Sequence, residues 1–243
     1  MTESYLVIGG SSDIAKILAN NLLEREASVT LLVRDSSRVE DLSSRGVNIV
    51  KGDALNPEVV QRAINTAKES GDGSITGAAH LVGSILLRPP HALKLEDFTE
   101  VITTNLTSAF LSLSLIGKAM LRSGGGRLVF TSSVAGSIGL VNHEAISAAK
   151  GGIESMVRSA AATYAQRKIR VNAVAPGLTE TRMGAKVLAS DAIREAAVSM
   201  IPMRRINQPQ EIASAMQWLL TDAPDNFTGQ ILNLDGGMSN VKN

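Results

Sequence analysis

Cysteine is absent from the 243 residues, which excludes disulfides, thiolate nucleophiles and cysteine-ligated metals. Aromatic side chains are almost as scarce: 4 Phe, 2 Tyr and 1 Trp leave the interior to Val, Ile, Leu and Ala. An aliphatic interior of that kind suits strands covered by helices on both faces. Charge of one sign is missing too, since 24 basic and 23 acidic residues give a formal net charge of +1. No large field then draws nucleic acid or an anionic membrane, and a small molecule is the expected partner. No uncharged apolar run approaches the roughly 18 residues that a membrane span requires. The opening MTESYLVIGG has no basic stretch followed by an apolar one, so no secretory leader is read and a cytoplasmic location is expected. No metal site is expected.

What is present is a repeated alternation. Short apolar runs at Tyr5–Ile8, Val29–Val33, Val47–Val50, Ala78–Val82, Arg127–Thr131, Arg170–Ala175 and Gln230–Leu234 are separated by stretches of helical periodicity. Strands spaced by helix-length segments predict a doubly wound, Rossmann-type α/β sheet of about seven parallel strands with helices on both faces. A chain of this length is expected to form one domain over 1–243. Long helices are predicted over 101–122 and 142–165, the second opened by Asn142. Both are rich in small residues, which suits packing on the sheet or against another subunit. Gly71–Ser74 reads as a surface loop. Residues 177–208 form the longest stretch without a strand and read as a substrate lid, in which Met183, Met200 and Met203 supply adaptable apolar surface or simply fill the core.

The first strand runs directly into Gly9-Gly10-Ser11-Ser12-Asp13-Ile14-Ala15 and then a helix. That order places free helix N-terminal amides where a pyrophosphate binds, although any strand-to-helix turn also needs glycine. Further along stand Gly52-Asp53-Ala54, His80-Leu81-Val82-Gly83, Thr104-Asn105-Leu106-Thr107, Ser132-Ser133-Val134-Ala135-Gly136, Lys150-Gly151-Gly152, Pro176-Gly177-Leu178-Thr179-Glu180-Thr181 and Gly229 to Gly237. In this order and spacing the motifs resemble those of the short-chain dehydrogenase/reductase family over nearly the whole chain.

The resemblance implies a nicotinamide dinucleotide on Gly9, Ser11, Ser12, Asp13 and Ile14, with Asp53 and Ala54 at the adenine, Gly83 as the retained cofactor-binding glycine after the fourth strand, and Pro176, Gly177, Thr179 and Thr181 at the nicotinamide carboxamide. His80 ends its strand and is expected to face the cofactor. Asp13 and Ala15 stand where the family has its second and third glycines; as an N-cap, Asp13 would compete for the phosphate's amides. At the end of the second strand Val33 holds the position of the acid that accepts ribose hydroxyls in NAD-preferring relatives, and Arg34 follows it. A guanidinium matches a 2′-phosphate, so NADP(H) is expected in preference to NAD(H), with Arg38 as a second contact. Arg34 as an ordinary solvated charge is the alternative.

The family's catalytic set implies Asn105, Ser133 and Lys150, with Lys150 also on the nicotinamide ribose. Thirteen residues beyond Ser133, where the family places its catalytic tyrosine, stands Ile146. Tyr5 belongs to the first strand, and Tyr164 lies 14 residues past Lys150, so neither replaces it. His143 shares a helix face with Lys150 and is a candidate proton donor, or only part of a helix start. Two functions are left open. One is an NADP(H)-dependent oxidoreductase moving hydride between nicotinamide and a carbonyl or alcohol. The other is a catalytically silent NADP(H)-binding protein serving as sensor or oligomer partner. The resemblance also implies a homotetramer or homodimer.

Overall fold

In the computed structural model, which describes residues 2–185, 187–188 and 190–242, every side chain of the first strand, β1 (Ser4–Ile8), is buried. Alternate residues of a strand point to opposite faces. Leu6 and Ile8 therefore enter one apolar layer while Tyr5 and Val7 enter another. Helix α1 (Asp13–Leu23) starts where the Ser12 hydroxyl accepts the Ala15 amide. Strand β2 (Ser28–Val33), the short α2 (Glu40–Ser43) and β3 (Asn48–Lys51) follow. Helix α3 (Pro57–Glu69) is capped by Asn56, and Pro57 sits where its missing amide costs nothing.

Strand β4 (Gly77–His80), α4 (Leu95–Ile102), α5 (Ser108–Ser123), β5 (Gly126–Thr131), α6 (Glu144–Tyr164) and β6 (Ile169–Pro176) make up the second half. Two short helices, α7 (Arg182–Ala185) and α8 (Asp191–Ser199), interrupt the run to α9 (Pro209–Leu220) and β7 (Ile231–Leu234). All seven strands pair in parallel in the order β3-β2-β1-β4-β5-β6-β7. The expected sheet is thus present. On one face Ala63 and Ile64 of α3, Leu113 and Ile116 of α5 and Ile153 and Val157 of α6 cover Leu6, Ile8, Leu128 and Phe130. On the other, Leu18 and Leu22 of α1 and Ile212 and Met216 of α9 cover Val7, Leu31 and Val129. Strand order reverses between β1 and β4, and a crevice outside the carboxyl ends of such strands is where open α/β sheets bind ligands.

Three expectations need correction. The helix expected over 101–122 is broken by a π-helical segment at Thr103–Thr107, because the Asn105 side chain bonds the Val101 carbonyl within the turn. Asn142 does not open α6; it takes a left-handed φ of 64° and His143 is the cap residue. β4 stops at His80 rather than Val82: Leu81 still donates to the Ile8 carbonyl, but Leu81 and Val82 pass against the Gly9 turn instead of extending the ladder. Among the described residues, no helix is long and apolar enough to cross a membrane.

Candidate active site

The turn after β1 begins the site. Gly9 has φ +84°, and a β-carbon there would lie 2.8 Å from the backbone of Leu81 and Val82, so only glycine lets the turn sit this close to the end of β4. The amides of Gly9 and Gly10 both donate to the Leu32 carbonyl at 3.1 Å, which pins the turn to β2. Ser12, not Asp13, caps α1, its hydroxyl taking the Ala15 amide at 3.1 Å. Asp13 is the first helical residue, and its carboxylate is bonded to Arg182. Asp13 and Ile14 occupy the two positions whose N–H groups have no intrahelical acceptor, which is the geometry an anion needs.

The residues expected at the adenosine stand at the ends of β2 and β3. Val33 is buried beneath Gly10, so no side chain that accepts a hydroxyl stands at the strand end. Arg34 is exposed and has no acidic partner among the described residues. Arg38 is held 3.3 Å from Asp35. Asp35 in turn accepts the hydroxyl and amide of Ser37, which hold its carboxyl below the usual carboxylate range. Asp53 folds its own turn by accepting the Leu55 amide at 2.8 Å. Ala54 is buried in the core.

Three elements converge on Gly83. A β-carbon built there would meet Asn105 Oδ1 at 3.1 Å and Lys150 Nζ at 3.7 Å, so both side chains address one point. Asn105 is fully buried and locked: its Oδ1 accepts the Ser84 amide while its Nδ2 donates to Ser84 and to Val101. Lys150, 6% exposed, donates to the Thr131 carbonyl at 2.8 Å. Burial pushes its ammonium down to about 8. Ser133 caps a short turn, its hydroxyl accepting the Ala135 amide at 3.2 Å and keeping its own hydrogen free to donate. Its neighbour Ser132 faces inward to the buried Glu154, which also accepts from Ser137.

Ile146 is 4% exposed, one helical turn before Lys150. It belongs to an apolar cluster with Val101, Ala135 and Ala149, against which Leu86, Leu93 and Phe98 pack. His143 is half-buried, with Nδ1 2.7 Å from the Val141 carbonyl. A carbonyl only accepts, so Nδ1 carries hydrogen and Nε2 remains available. Tyr5 lies in the β1 core and Tyr164 packs its hydroxyl against Gly117 at the far end of α6. His80 does not face the crevice: it is 2% exposed, bonded through Nε2 to Ser108, with its ring tilted against Phe130. The strand end marks a direction along the chain but not which face a side chain takes.

The segment expected as a lid starts where Gly177 donates to the Leu234 carbonyl at 2.8 Å and Thr179 pairs with Asn207. The Thr179 hydroxyl turns inward to the Gly177 carbonyl, and Thr181 accepts the Gly184 amide at the start of α7. Pro176 is the last residue of β6. Met183, Met200 and Met203 are 44%, 55% and 58% exposed, so none of them fills the core. Sequence reading missed Ser84, Thr131 and Arg182. Thr131 acts through its backbone carbonyl and Ser84 through its own backbone amide and carbonyl, groups that leave no mark on residue type; Arg182 directly follows Thr181 but pairs across 169 residues.

Lys150 also sets a stability signature. With a folded value near 8 against 10.5 when unfolded, the folded ammonium is penalised at neutral pH, and stability rises as pH climbs from about 8 to 10.5. Lys150→Met is therefore expected to stabilise the ligand-free protein at pH 7 by about 2 kcal/mol, allowing for the lost Thr131 bond, as read by urea unfolding. Equal or lower stability of the variant would show that the ammonium is not penalised.

Known proteins are similar to this chain in sequence and in fold. Residues 9–239 match the family model described as "Enoyl-(Acyl carrier protein) reductase". The chain is 34% identical over 244 residues to a 3-oxoacyl-[acyl-carrier-protein] reductase of Synechocystis sp., covering 96% of this chain and 95% of that protein. A short-chain type dehydrogenase/reductase from Mycobacterium ulcerans superposes with a TM-score of 0.91 at 26% identity, over 98% of this chain and 91% of the other. The structure described as ElxO with NADP bound superposes with a TM-score of 0.90 at 25% identity, over 98% and 99%.

Proposed function

This chain belongs to the short-chain dehydrogenase/reductase family, and on that premise we propose that it is an NADP(H)-dependent oxidoreductase acting on a carbonyl or alcohol. The observation that carries the reading is the convergence of Asn105 and Lys150 on Gly83. The residues fit a dinucleotide: Gly9 allows close approach of backbone, and Asp13 and Ile14 offer amides without intrahelical acceptors. Arg34, exposed and free of acids, is the residue to hold a 2′-phosphate, with Arg38 beside it. Asp53 and Ala54 would hold the adenine, and Gly83, Pro176, Gly177, Thr179 and Thr181 would hold the nicotinamide end.

When bound, the nicotinamide supplies or receives the hydride. Lys150 holds the ribose, and the buried Asn105 keeps the π-helical turn and Ser84 in place. The Ser133 hydroxyl donates to the substrate oxygen. His143 exchanges the proton through Nε2, because Nδ1 is committed to Val141. The exposed methionines of 177–208 cover the substrate. Self-association to a homotetramer or homodimer through α5 and α6, where Phe110 and Leu121 stand exposed, belongs to the same reading.

A second reading, binding without turnover, is favoured by one observation: Ile146 closes an apolar cluster where the family has an acid-base group. One experiment separates them. Titration with NADPH and NADH is expected to give tighter NADPH binding by about tenfold, the size of one charge-assisted hydrogen bond, and Arg34→Ala is expected to abolish that difference. NADH binding as tightly as NADPH overturns the cofactor preference. NADPH consumption across a panel of carbonyls supports the enzyme; binding without consumption leaves the silent protein. A His143→Ala variant with unchanged turnover removes His143 from the reaction.

A further inference from the structure

Arg182, at the start of α7, reaches across the mouth of the crevice to the glycine turn. Its amide and Nε donate to the two carboxylate oxygens of Asp13, each at 2.8 Å, and its Nη2 donates to the Ser11 carbonyl at 2.6 Å. Three bonds thus join the lid to the phosphate-side turn, between segments 169 and 171 residues apart. Both side chains keep water contact, at 51% and 30% exposure, and a pair so placed adds little to stability. Its position gives it another use. Asp13 puts a carboxylate beside the free amides of α1, where alone it would repel a pyrophosphate. Arg182 cancels that charge, and its Nη1 has no partner among the described residues.

We propose that Arg182 is a dinucleotide-binding residue, fixed by Asp13 as a strap that closes the pyrophosphate site from the lid side. Asp13 thereby becomes an anchor for the lid instead of an obstacle to the ligand. The inference rests on the dinucleotide reading above, but it concerns the pyrophosphate that NADPH and NADH share, so it is independent of the choice between them. Guanidinium geometry suits two phosphate oxygens, which lysine at this position would not match.

The test combines nucleotide titration with amide deuterium uptake of the ligand-free protein, on wild type, Asp13→Gly, Arg182→Ala and the double variant. Arg182→Ala is expected to weaken NADPH and NADH alike by about tenfold, as for one lost charge-assisted bond. The double variant is expected to regain part of that loss, since the unbalanced carboxylate is gone. In Asp13→Gly, uptake over residues 178–185 is expected to rise without any ligand. Arg182→Ala binding both nucleotides as wild type does would overturn the proposal, as would unchanged uptake in Asp13→Gly. Wild type binding neither nucleotide overturns the dinucleotide reading itself, a result the uptake comparison does not depend on.

Discussion

Replacing Ile146 with tyrosine is expected to raise NADPH-dependent carbonyl reduction by about two to four orders of magnitude, the range a positioned proton donor contributes. The position lies one turn before Lys150 on α6, so the two side chains share a face. A phenol near 10 is a poor acid-base at neutral pH unless a cation is close, and Lys150 is a buried cation with a single acceptor, Thr131. The wild-type isoleucine offers no exchangeable proton, leaving His143 or water to supply one. The gain comes with a loss. Ile146 is packed by Val101, Ala135 and Ala149, and a larger ring there costs about 1–3 kcal/mol of stability, softened by the half-buried Leu86, Leu93 and Leu140 at the edge of the cluster. Initial rates over a carbonyl panel, read beside the melting temperature, check both parts. Unchanged rates in a variant that still binds NADPH would mean that Ser133 does not meet substrate, or that Lys150 does not activate the phenol, in the way proposed.

Acid is expected to weaken the fold through one residue, His80. Its Nε2 lies 3.1 Å from Ser108, whose hydroxyl hydrogen is already given to the Thr104 carbonyl at 2.6 Å. The ring must therefore donate through Nε2, and its Nδ1 is left bare and unpartnered. Protonating that nitrogen would bury an unpaired charge. Burial first, and the Lys150 charge second, push His80 down to about 3 from 6.5. The unfolded chain takes its proton first as pH falls, so stability is lost from about pH 6.5 downward and the loss is complete only near 3. At pH 5, above the range where most carboxylates titrate, the loss from this group is about 2 kcal/mol relative to pH 7. Urea unfolding at the two pH values measures it. His80→Asn, which keeps a donor for Ser108 but cannot ionise, is expected to flatten most of the difference; a variant as acid-sensitive as wild type would show that the loss arises elsewhere.

Lys150 and His80 act on the fold in opposite parts of the pH scale for one physical reason. Each is a cation-forming group placed where water cannot follow, and each is most at ease neutral. The site region is therefore kept at a cost to the surrounding core, which is common where chemistry requires a group out of water.

The seven strands were legible in the sequence because buried parallel strands read as uninterrupted Val, Ile, Leu and Ala runs, and the helices between them as periodic ones. Gly9 was legible for a comparable reason, since a turn with φ of +84° and no room for a β-carbon admits one residue type. The places of Ile146 and Lys150 came from the family resemblance, by its spacing from Ser133, and helix geometry then keeps them one turn apart. What sequence could not supply was direction and partner. It placed His80 at a strand end but not on the α5 side of the sheet, and it gave Asp13 the capping role that Ser12 holds. It joined α4 to α5 without the π-helical turn that Asn105 imposes by bonding Val101. The strap from Arg182 to Asp13 spans residues far apart in sequence and leaves no local pattern. Local periodicity is fixed by backbone geometry and so is written along the chain, whereas the pairing of polar groups depends on which elements the folded sheet brings together, and only the tertiary structure decides that.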